Sequence, residues 1–460
     1  MIQYTRCAFT KDGGLTMKKG NAWALLPIGV FLLMYLGLGL LFEYGMKIPM
    51  GSYNVPIVAA FLVAVCTACV QNRKVSFEEK LAIMGQGVGD KNIITMLLIF
   101  LAAGAFVGVV GRSSAQSVAY FMLSVIPAQF AVAVLFVVSC FISTAMGTSV
   151  GTITLLTPIA VEVAGAAGYD AALCIATVVG GSMFGDNLSM ISDTTIAACN
   201  GQGCAMKDKF RGNFKIALPA AIFSLIIILI LTAKQEPVQI VKEYDLLLMI
   251  PYILVLIGGV AGVNVFVVLL VGILTGAVIT LASGAIIPDA GQNVVSQLLM
   301  NMGSNMSGMF ETCMVAILVS ALCALIRVGG GFDALLYMVR KLFKGKKGGQ
   351  LGIGLMVVAM DVATANNTVA IVMANPIAKE MSQEYGINPR RTACQLDTFS
   401  CIAQGVIPYG AQILVAISAA AEMGCIVSAF DLLPKLYYPA LLLVCSLVAI
   451  FFPMKKKEAA

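Results

Sequence analysis

A polar stretch interrupts one of the long apolar segments of this 460-residue chain, and it reads Gly185-Asp186-Asn187-Leu188-Ser189-Met190-Ile191-Ser192-Asp193-Thr194-Thr195. It carries two carboxylates and five other side chains with an oxygen atom, although 60% of the chain is hydrophobic. An ionised aspartate at the centre of a membrane helix costs about 2.5–3.5 kcal/mol on insertion scales. Such residues face a cavity of the protein and mark an ion or proton path. The stretch therefore predicts the place where a membrane protein handles a charged solute.

The composition predicts a polytopic membrane protein without a sizeable soluble domain. Only 11% of the residues are charged, whereas a soluble domain averages about 25%, and many apolar runs approach the roughly 20 residues that span a bilayer. The net charge of +6 lies in short loops and at both ends of the chain. This distribution follows the positive-inside rule and does not indicate nucleic-acid binding. We expect a multi-pass protein of the cell inner (plasma) membrane.

The cysteine and histidine content argues against a metal centre, a disulfide framework or a cofactor. The 13 cysteines are odd in number and lie mostly inside apolar runs, which is typical of reduced, buried thiols. The sequence contains no histidine, the side chain that ordinarily titrates near neutral pH. We therefore expect a transported proton to be carried mainly by a carboxylate, and we expect no cofactor besides the transported ions Na⁺ and H⁺.

The chain repeats itself at a constant offset. The segment Pro-Ile-Ala-Val-Glu at 158–162 recurs as Pro-Ile-Ala-Lys-Glu at 376–380, which is 218 positions later, and the same offset pairs Gly168 with Gly386. Internal repeats are a common architecture of secondary transporters. The predicted organisation is a cytoplasmic N-terminal tail (1–21), a first transmembrane repeat (22–238), a second transmembrane repeat (239–453) and a basic cytoplasmic tail (454–460).

Loop charges predict that the two repeats face opposite ways. Lys207 and Lys209 align with uncharged positions of the second half, and Arg340 and Lys341 align with uncharged positions of the first half. Under the positive-inside rule, repeats that are positive in different loops are inverted in the membrane. The predicted fold is all-α, with two inverted-topology repeats of about five transmembrane helices each, plus a re-entrant hairpin and a broken helix in each. Both termini then lie in the cytoplasm.

Polar interruptions place the hairpins and the broken helices. In the first half we expect a re-entrant hairpin over 128–163 with its tip at 147–151, and a helix broken at 185–193. In the second half we expect a tip at 365–368 and a break near 403–410. Unwound backbone is tolerated at membrane depth only where it lines a cavity or a site, since lipid satisfies none of its hydrogen bonds. The tips and breaks are therefore expected to form a binding site at the bilayer midplane.

The residue types at these points suit a hard cation, which takes oxygen ligands. We expect a Na⁺ ion at Asp186 and Asp193. The first-half candidates for cation binding and proton coupling are Thr148, Ser149, Asp186, Asn187, Ser189, Asp193 and Thr194. The second-half candidates, for a substrate or a second ion, are Asp361, Asn366, Asn367, Thr368, Asp397, Thr398 and Gln404. Purely structural roles stay open, because small residues at 147–151 also favour helix packing and the two first-half aspartates also suit helix caps.

The first-half motifs resemble a known family of transporters. Phe-Gly-Asp-Asn-Leu-Ser at 184–189 followed by Ser-Asp-Thr-Thr at 192–195 resembles the signature of NhaC-type sodium/proton antiporters. Gly-Thr-Ser-Val-Gly-Thr at 147–152 is similar to the same family's pattern. The resemblance implies the ion transporter superfamily, whose fold has inverted repeats, each with a hairpin and a broken helix. It also implies a Na⁺ site on the first-half elements.

Three functions are compared on these grounds. In the first, the protein is a sodium/proton antiporter in which Asp186 and Asp193 bind Na⁺ and release it when they are protonated. In the second, Na⁺ drives or exchanges with a small organic acid of the malate or lactate kind, or an amino acid, held by second-half residues. The third, an intramembrane enzyme, is disfavoured because the sequence lacks histidine and places both aspartates in one break. The expected partners are Na⁺, H⁺, the lipid bilayer and, in the second case, the organic solute; a homodimer is left open.

Overall fold

The computed structural model describes residues 8–9, 15–16, 20–47, 54–71, 73, 75–233, 243–289 and 291–452. Within them, the regular secondary structure is helical apart from one antiparallel pair of two-residue strands, Ala8–Phe9 with Leu15–Thr16. The all-α prediction is confirmed. The predicted tail over 454–460 and most of the predicted tail over 1–21 lie outside the described residues.

The first half forms nine α-helices in the described residues, and the first of them continues in π-helical turns. In order, the elements are a 3₁₀ turn (Ala22–Leu25), α1 (Leu26–Leu32) with π-helical turns (Leu33–Leu38 and Leu41–Gly45), α2 (Ile57–Gln71), α3 (Phe77–Val88), α4 (Lys91–Val125), α5 (Ala128–Met146), α6 (Ser149–Ala167), α7 (Ala171–Leu188), α8 (Asp193–Gln202) and α9 (Met206–Thr232).

The second half follows with the same kinds of element. In order, they are α10 (Leu246–Val260), α11 (Val265–Ser283), α12 (Val294–Gly308), α13 (Phe310–Val328), α14 (Gly331–Leu342), α15 (Gly345–Thr364), α16 (Asn367–Glu384), α17 (Pro389–Val406), α18 (Ala411–Glu422), α19 (Ala429–Leu432), a 3₁₀ turn (Leu433–Lys435) and α20 (Tyr437–Phe451).

Helix ends recur at the sequence offset of 218. Helix α7 begins at Ala171 and α17 at Pro389, and each helix is 18 residues long. The caps recur too: Thr148 caps α6 by accepting from the Gly151 amide, and Asn366 caps α16 by accepting from the Val369 amide. The elements around both hairpins and both breaks therefore correspond one to one. The opposite orientation of the repeats in a membrane, and their bounds at 22–238 and 239–453, stay predictions.

The lengths of the helices fit a multi-pass membrane protein. In the described part of the chain, eight segments are long and apolar enough to cross a bilayer, or nine if α19 with its 3₁₀ turn and α20, which are bent by 49°, form one span. Helix α6 and the broken pairs α7–α8 and α17–α18 lie mostly inside the protein, whereas α9 and α11 are mostly exposed. The broken helices and the first hairpin thus form the interior.

Each half places its broken helix against the hairpin of the other half. Helix α8 packs on α16, and α18 packs on α6, while each hairpin also packs on the long helix of its own half, α7 or α17. The close approach of α7 to α5 requires Gly185, since a Cβ there would lie 2.5 Å from the Cys140 carbonyl oxygen. This interlocking brings residues that are distant in sequence to one central region.

The two hairpin tips share a left-handed backbone but differ in residue type. Gly147 has φ of 70° at the end of α5, and Ala365 has φ of 47° at the equivalent end of α15. A residue with a Cβ is strained in this region by roughly 1–2 kcal/mol, whereas glycine is not. The second tip is therefore held in place against local strain.

This difference predicts opposite effects of matched substitutions. Ala365→Gly should raise the free energy of unfolding by about 1 kcal/mol, because it removes the left-handed strain. Gly147→Ala should lower it, because the added Cβ would be strained and would lie 2.9 Å from Ile191 Cγ1 and 3.1 Å from its carbonyl carbon. Thermal unfolding of purified protein in detergent measures both.

Ala363→Gly, in the regular backbone of α15, is the matched control. It should cost about 1 kcal/mol, the usual helical penalty of glycine. A loss of stability in Ala365→Gly like that of the control would contradict the strained tip.

Candidate cation site

The carboxylate of Asp186 joins the first hairpin tip to the first break. Asp186 lies in the last turn of α7 and is 8% exposed. Its Oδ2 accepts a hydrogen bond from Ser149 Oγ at 2.8 Å, and its Oδ1 accepts one from Ser192 Oγ at 2.5 Å. Ser149 begins α6 directly after the tip, and Ser192 is the residue before α8. One buried carboxylate therefore holds three chain segments together.

Two further polar side chains, Thr194 and Gln412, contact these two serines. Ser192 Oγ lies 2.9 Å from Thr194 Oγ1. From the second half, Gln412 Nε2 donates to Ser149 Oγ at 3.1 Å, and Gln412 Oε1 is buried without a hydrogen-bond partner among the described residues. Gln412 follows Thr194 by the repeat offset. Both repeats thus bring the first turn of their broken segment, α8 or α18, to a serine that binds the Asp186 carboxylate.

No basic side chain pairs with Asp186 in the part of the chain that the structure describes. The ion pairs among the described residues are Arg112–Glu162, Lys209–Asp397, Arg340–Glu380, Arg340–Glu384 and Lys435–Asp170. Burying a charge is costly unless an opposite charge and hydrogen bonds compensate it. A buried carboxylate held only by hydroxyl groups suits a bound cation with oxygen ligands or a proton.

A buried ion pair lies beside this site. Lys209 Nζ on α9 is 2.5 Å from Asp397 Oδ2 on α17, and both side chains are 1% exposed. The same ammonium donates to the Asn187 carbonyl oxygen at 2.6 Å and to Thr195 Oγ1 at 2.7 Å. An ammonium has three protons to donate, so all of them are used. The pair joins the first half to the second, and Lys209 also holds Asn187, the residue that follows Asp186 in the chain.

Asn213 extends this network by one helical turn of α9. Its Nδ2 donates to Asn187 Oδ1 at 2.6 Å and to Asp397 Oδ2 at 3.0 Å. Its Oδ1 accepts from Thr398 Oγ1 at 3.3 Å. Lys209 and Asn213 are four residues apart and so share a helix face. Through these two side chains, α9 holds α7 and α17 together.

The structure brings together some of the predicted first-half residues and not others. Ser149 contacts Asp186 directly, and Thr194 lies one hydrogen bond further away through Ser192. Asp193 is exposed in the first turn of α8 and takes no part in the hydrogen bonds that hold Asp186.

The other first-half candidates are engaged in local contacts. Thr148 Oγ1 caps α6. The side-chain and carbonyl oxygens of Asn187 accept from Asn213 and Lys209. Ser189 ends α7, and its Oγ accepts from the Ile191 amide at 3.3 Å.

The second-half candidates fall into two groups. Asp397 and Thr398 belong to the Lys209 network, beside the first break. The remaining ones lie at the second tip, where Gln404 Nε2 donates to the Ala365 carbonyl oxygen at 3.1 Å and Asp361 is fully buried beneath it. Asn366 caps α16, and Asn367 and Thr368 form its first turn, half-buried.

Sequence reasoning missed Lys209, Asn213, Ser192 and Gln412 as parts of the site. Lys209 counts toward the loop charges of the positive-inside pattern, although it is 1% exposed. The signal that could have found it is the spacing of Lys209 and Asn213 on one face of α9. Gln412 could have been found from its alignment with Thr194 at the repeat offset.

The buried ion pair makes a prediction about stability. Lys209→Met or Asp397→Asn alone should cost about 3–5 kcal/mol, because each leaves an unpaired buried charge. The double variant should recover most of that loss, since it removes both charges. Unfolding of the four proteins in detergent, analysed as a double-mutant cycle, measures the coupling.

Lys435→Met is the control on a surface pair, because Lys435 and Asp170 are 31% and 51% exposed. It should change stability by less than about 1 kcal/mol. A double variant no more stable than either single variant would contradict the pairing.

Several known proteins are similar to this chain. An uncharacterized protein of Haemophilus influenzae is 28% identical over 162 residues, which cover 35% of this chain and 30% of that protein. The Na⁺/H⁺ antiporter NhaC of Alkalihalophilus pseudofirmus is 21% identical over 384 residues, 78% of this chain and 82% of the antiporter. The crystal structure of the YdaH transporter of Alcanivorax borkumensis aligns with 86% of this chain and 98% of its own at 15% identity, with a TM-score of 0.44.

The family model gives the broadest match. The model of the Na⁺/H⁺ antiporter family matches the chain twice, over residues 28–234 and 238–452. The two matches fall on the two halves and leave little of the chain uncovered. They confirm the resemblance inferred from the motifs at 147–152 and 184–195: the chain belongs to the Na⁺/H⁺ antiporter family, a family of membrane transporters.

Proposed function

We propose that this protein is a Na⁺/H⁺ antiporter of the plasma membrane in which Asp186 carries Na⁺ and H⁺ in turn. The observation that carries the proposal is the state of this one carboxylate. It is buried, it lacks a basic partner among the described residues, and its contacts are hydroxyl groups. The named activity of the NhaC relative, an Na⁺/H⁺ antiporter, supports the choice of ions.

The proposed Na⁺ ligands are the Asp186 carboxylate, the hydroxyls of Ser149, Ser192 and Thr194, and Gln412 Oε1. A hydroxyl has lone pairs as well as a proton, so each serine that donates to Asp186 can turn to offer oxygen to a cation. Gln412 Oε1 is a buried acceptor without a donor among the described residues, which suits an oxygen ligand of a cation. Oxygen atoms of this kind are those that hard cations prefer.

Asp193 has a different proposed role from that of a direct ligand. Its exposure at the start of α8 puts a negative charge at the accessible side of the break. There it would attract cations toward Asp186, through an interaction that salt screens.

Exchange follows from competition for a single carboxylate. When Asp186 holds Na⁺ it has no charge left to stabilise a proton, and when it is protonated it no longer attracts the cation. Asp397 takes no part in this competition because Lys209 already neutralises it. Each ion therefore crosses on the same group in opposite directions, and neither ion moves alone.

The interlocked elements offer a way to expose this group alternately to the two sides. The ion on Asp186 changes the contacts among the tip at Ser149, the break at Ser192 and, through Gln412, helix α18. A ligand shifts an equilibrium between conformations by its difference in affinity for them. Rigid movement of the hairpins and breaks against the outer helices is the usual form of such a change in transporters with repeats.

The volume of the cavity at the second tip bears on the alternative function, in which the protein carries a small organic solute. A cavity of about 30 Å³ lies there, lined mainly by apolar side chains together with Thr312, Thr364 and Asn366. That volume suits one or two water molecules and is too small for malate or lactate in this conformation. The cavity therefore gives no support to an organic-solute site at the second tip in this conformation.

Substitutions in the first break test the site. Asp186→Asn should abolish the Na⁺-evoked pH change, because an amide neither balances Na⁺ nor carries the proton. Ser192→Ala should raise the half-saturating Na⁺ concentration about tenfold, the usual effect of losing a bond to a charged group. The assay is a pH-sensitive dye in proteoliposomes after addition of NaCl.

Ser189→Ala is the matched control, because its hydroxyl lies in the same break but contacts only the local backbone in the described hydrogen bonds. It should behave like wild type, and Asp193→Asn should keep exchange with weaker Na⁺ attraction at low salt. Exchange at the wild-type rate in Asp186→Asn would refute the proposed site. No response to Na⁺ alone, with Na⁺-dependent uptake of malate, lactate or an amino acid, would favour the coupled carrier.

Competition also sets the direction of the pH dependence. The half-saturating Na⁺ concentration should fall as pH rises, because fewer protons then occupy Asp186. Na⁺ titrations of the same proteoliposomes at several pH values, equal on both sides, measure it. A half-saturating concentration that is constant or rises with pH would exclude a shared carboxylate.

A further inference from the structure

Asp361 is a further buried carboxyl group, besides Asp397, that the exchange at Asp186 does not use. It lies in the last turn of α15, one turn before the strained tip at Ala365, and is 0% exposed. Neither of its carboxyl oxygens has a hydrogen-bond partner among the residues that the structure describes. In this it differs from Asp186, which two serines bind, and from Asp397, which Lys209 and Asn213 bind.

The equivalent position of the first repeat shows what a structural residue does there. Ser143 lies 218 positions earlier, in the last turn of α5. Its Oγ donates to the Ser182 carbonyl oxygen at 2.6 Å and lies 3.3 Å from the Thr148 carbonyl oxygen, so it fastens the first tip. In the second repeat, the equivalent position carries the carboxyl group of Asp361 in place of this hydroxyl. That carboxyl group has no hydrogen-bond partner among the described residues.

The titratable neighbours of Asp361 give their hydrogens to other groups. They come from three segments: Cys323 on α13, Cys401 on α17, and Tyr409 between α17 and α18. Tyr409 donates to the Val362 carbonyl oxygen at 2.7 Å, Cys323 Sγ to the Ala363 carbonyl at 3.2 Å, and Cys401 Sγ to the Met183 carbonyl at 3.6 Å. None of these groups supplies a positive charge.

The charged groups on the helices that pack on α15 lie elsewhere. Helix α13 carries Glu311 in its first turn and Arg327 in its last turn, and Arg327 is exposed and donates to Met373 Sδ on α16. Glu380 and Glu384 on α16 pair with Arg340 on α14, about 20 Å from the tip at a rise of 1.5 Å per residue. Asp397 on α17 is bound to Lys209. Lys379 on α16 and Asp333 and Lys341 on α14 lie outside the turns next to the tip. Helix α20 carries no charged residue.

An ionised carboxylate cannot persist in such surroundings. Without hydrogen bonds or a counter-ion, its burial would cost so much that the group takes up a proton instead. A neutral acid inside a transporter carries a proton. That proton can dissociate when the hairpin that holds the acid opens to water. The strained Ala365 marks this hairpin as a segment held in place by its neighbours, as expected for a part that moves.

We propose that Asp361 is a second proton carrier, separate from the cation site, and that the protein exchanges two protons for each Na⁺. The proposal rests on the function proposed above. One proton is exchanged for Na⁺ on Asp186; the other dissociates from the Asp361 carboxyl on one side of the membrane and is replaced from the other side. Two positive charges then cross against one, so each cycle moves one net charge.

The test measures the ratio of protons to Na⁺ in proteoliposomes. A Na⁺ gradient and a pH gradient are imposed, the membrane potential is clamped with K⁺ and valinomycin, and the potential at which the dye signal reverses gives the ratio. Wild type should give a ratio of two. Asp361→Asn should still exchange Na⁺ for H⁺ but give a ratio of one, with exchange insensitive to the potential.

Matched variants separate the possible outcomes. Ser143→Ala, at the equivalent position of the first repeat, should keep the ratio of two, because it removes no titratable group. Asp361→Ser places there the residue that the first repeat carries, and it replaces Asp361→Asn if that variant does not fold. If neither folds, the wild-type ratio decides.

A wild-type ratio of one, or a ratio of two in either Asp361 variant, overturns the proposal. These outcomes differ from a failure of the proposed function. In that case wild type would show no Na⁺-evoked proton movement at all, whatever the ratio predicted for Asp361.

Discussion

The buried ion pair of Lys209 and Asp397 is the interaction on which the central region depends. It joins α9 of the first half to α17 of the second, and its ammonium also holds the Asn187 carbonyl oxygen and Thr195. A buried pair contributes little net stability by itself, but the loss of one partner leaves an uncompensated charge. The pair therefore fixes α7, α8, α9 and α17 relative to one another, and with them the position of Asp186.

The same pair decides which carboxylate is available to ions. Asp397 and Asp186 are both buried near the first break, but one has a lysine and the other has only hydroxyl groups. A cation gains little from a carboxylate whose charge is already balanced. In the proposed mechanism, the lysine beside Asp397 thus leaves Asp186 as the one carboxylate for which Na⁺ and H⁺ compete.

The sequence was sufficient to predict those features that are local. The tips within 147–151 and 365–368 and the break within 185–193 follow from cap residues and polar runs inside apolar segments. The sequence also put Ser149 and Asp186 in one candidate site, and the structure joins them by a hydrogen bond. It was not sufficient for Lys209 and Gln412, whose roles depend on packing between the halves. Nor could proximity in sequence place Asp193, because a break between two helices turns residues 186 and 193 toward different surroundings.

The two repeats share a backbone and differ at the positions that carry chemistry. Ser143 corresponds to Asp361, Val179 to Asp397, Asp186 to Gln404 and Thr194 to Gln412, so each acid occurs in one repeat only. The contacts of α8 with α16 and of α18 with α6 join the two hairpins, so the proposed mechanism moves them as one assembly. In the proposed mechanism, side chains that differ between the repeats let one movement act on two different groups. These are the cation site at the first tip and the isolated Asp361 at the second. Coupling between them then requires no contact between the two acids, since the conformational change that exposes one also changes the surroundings of the other.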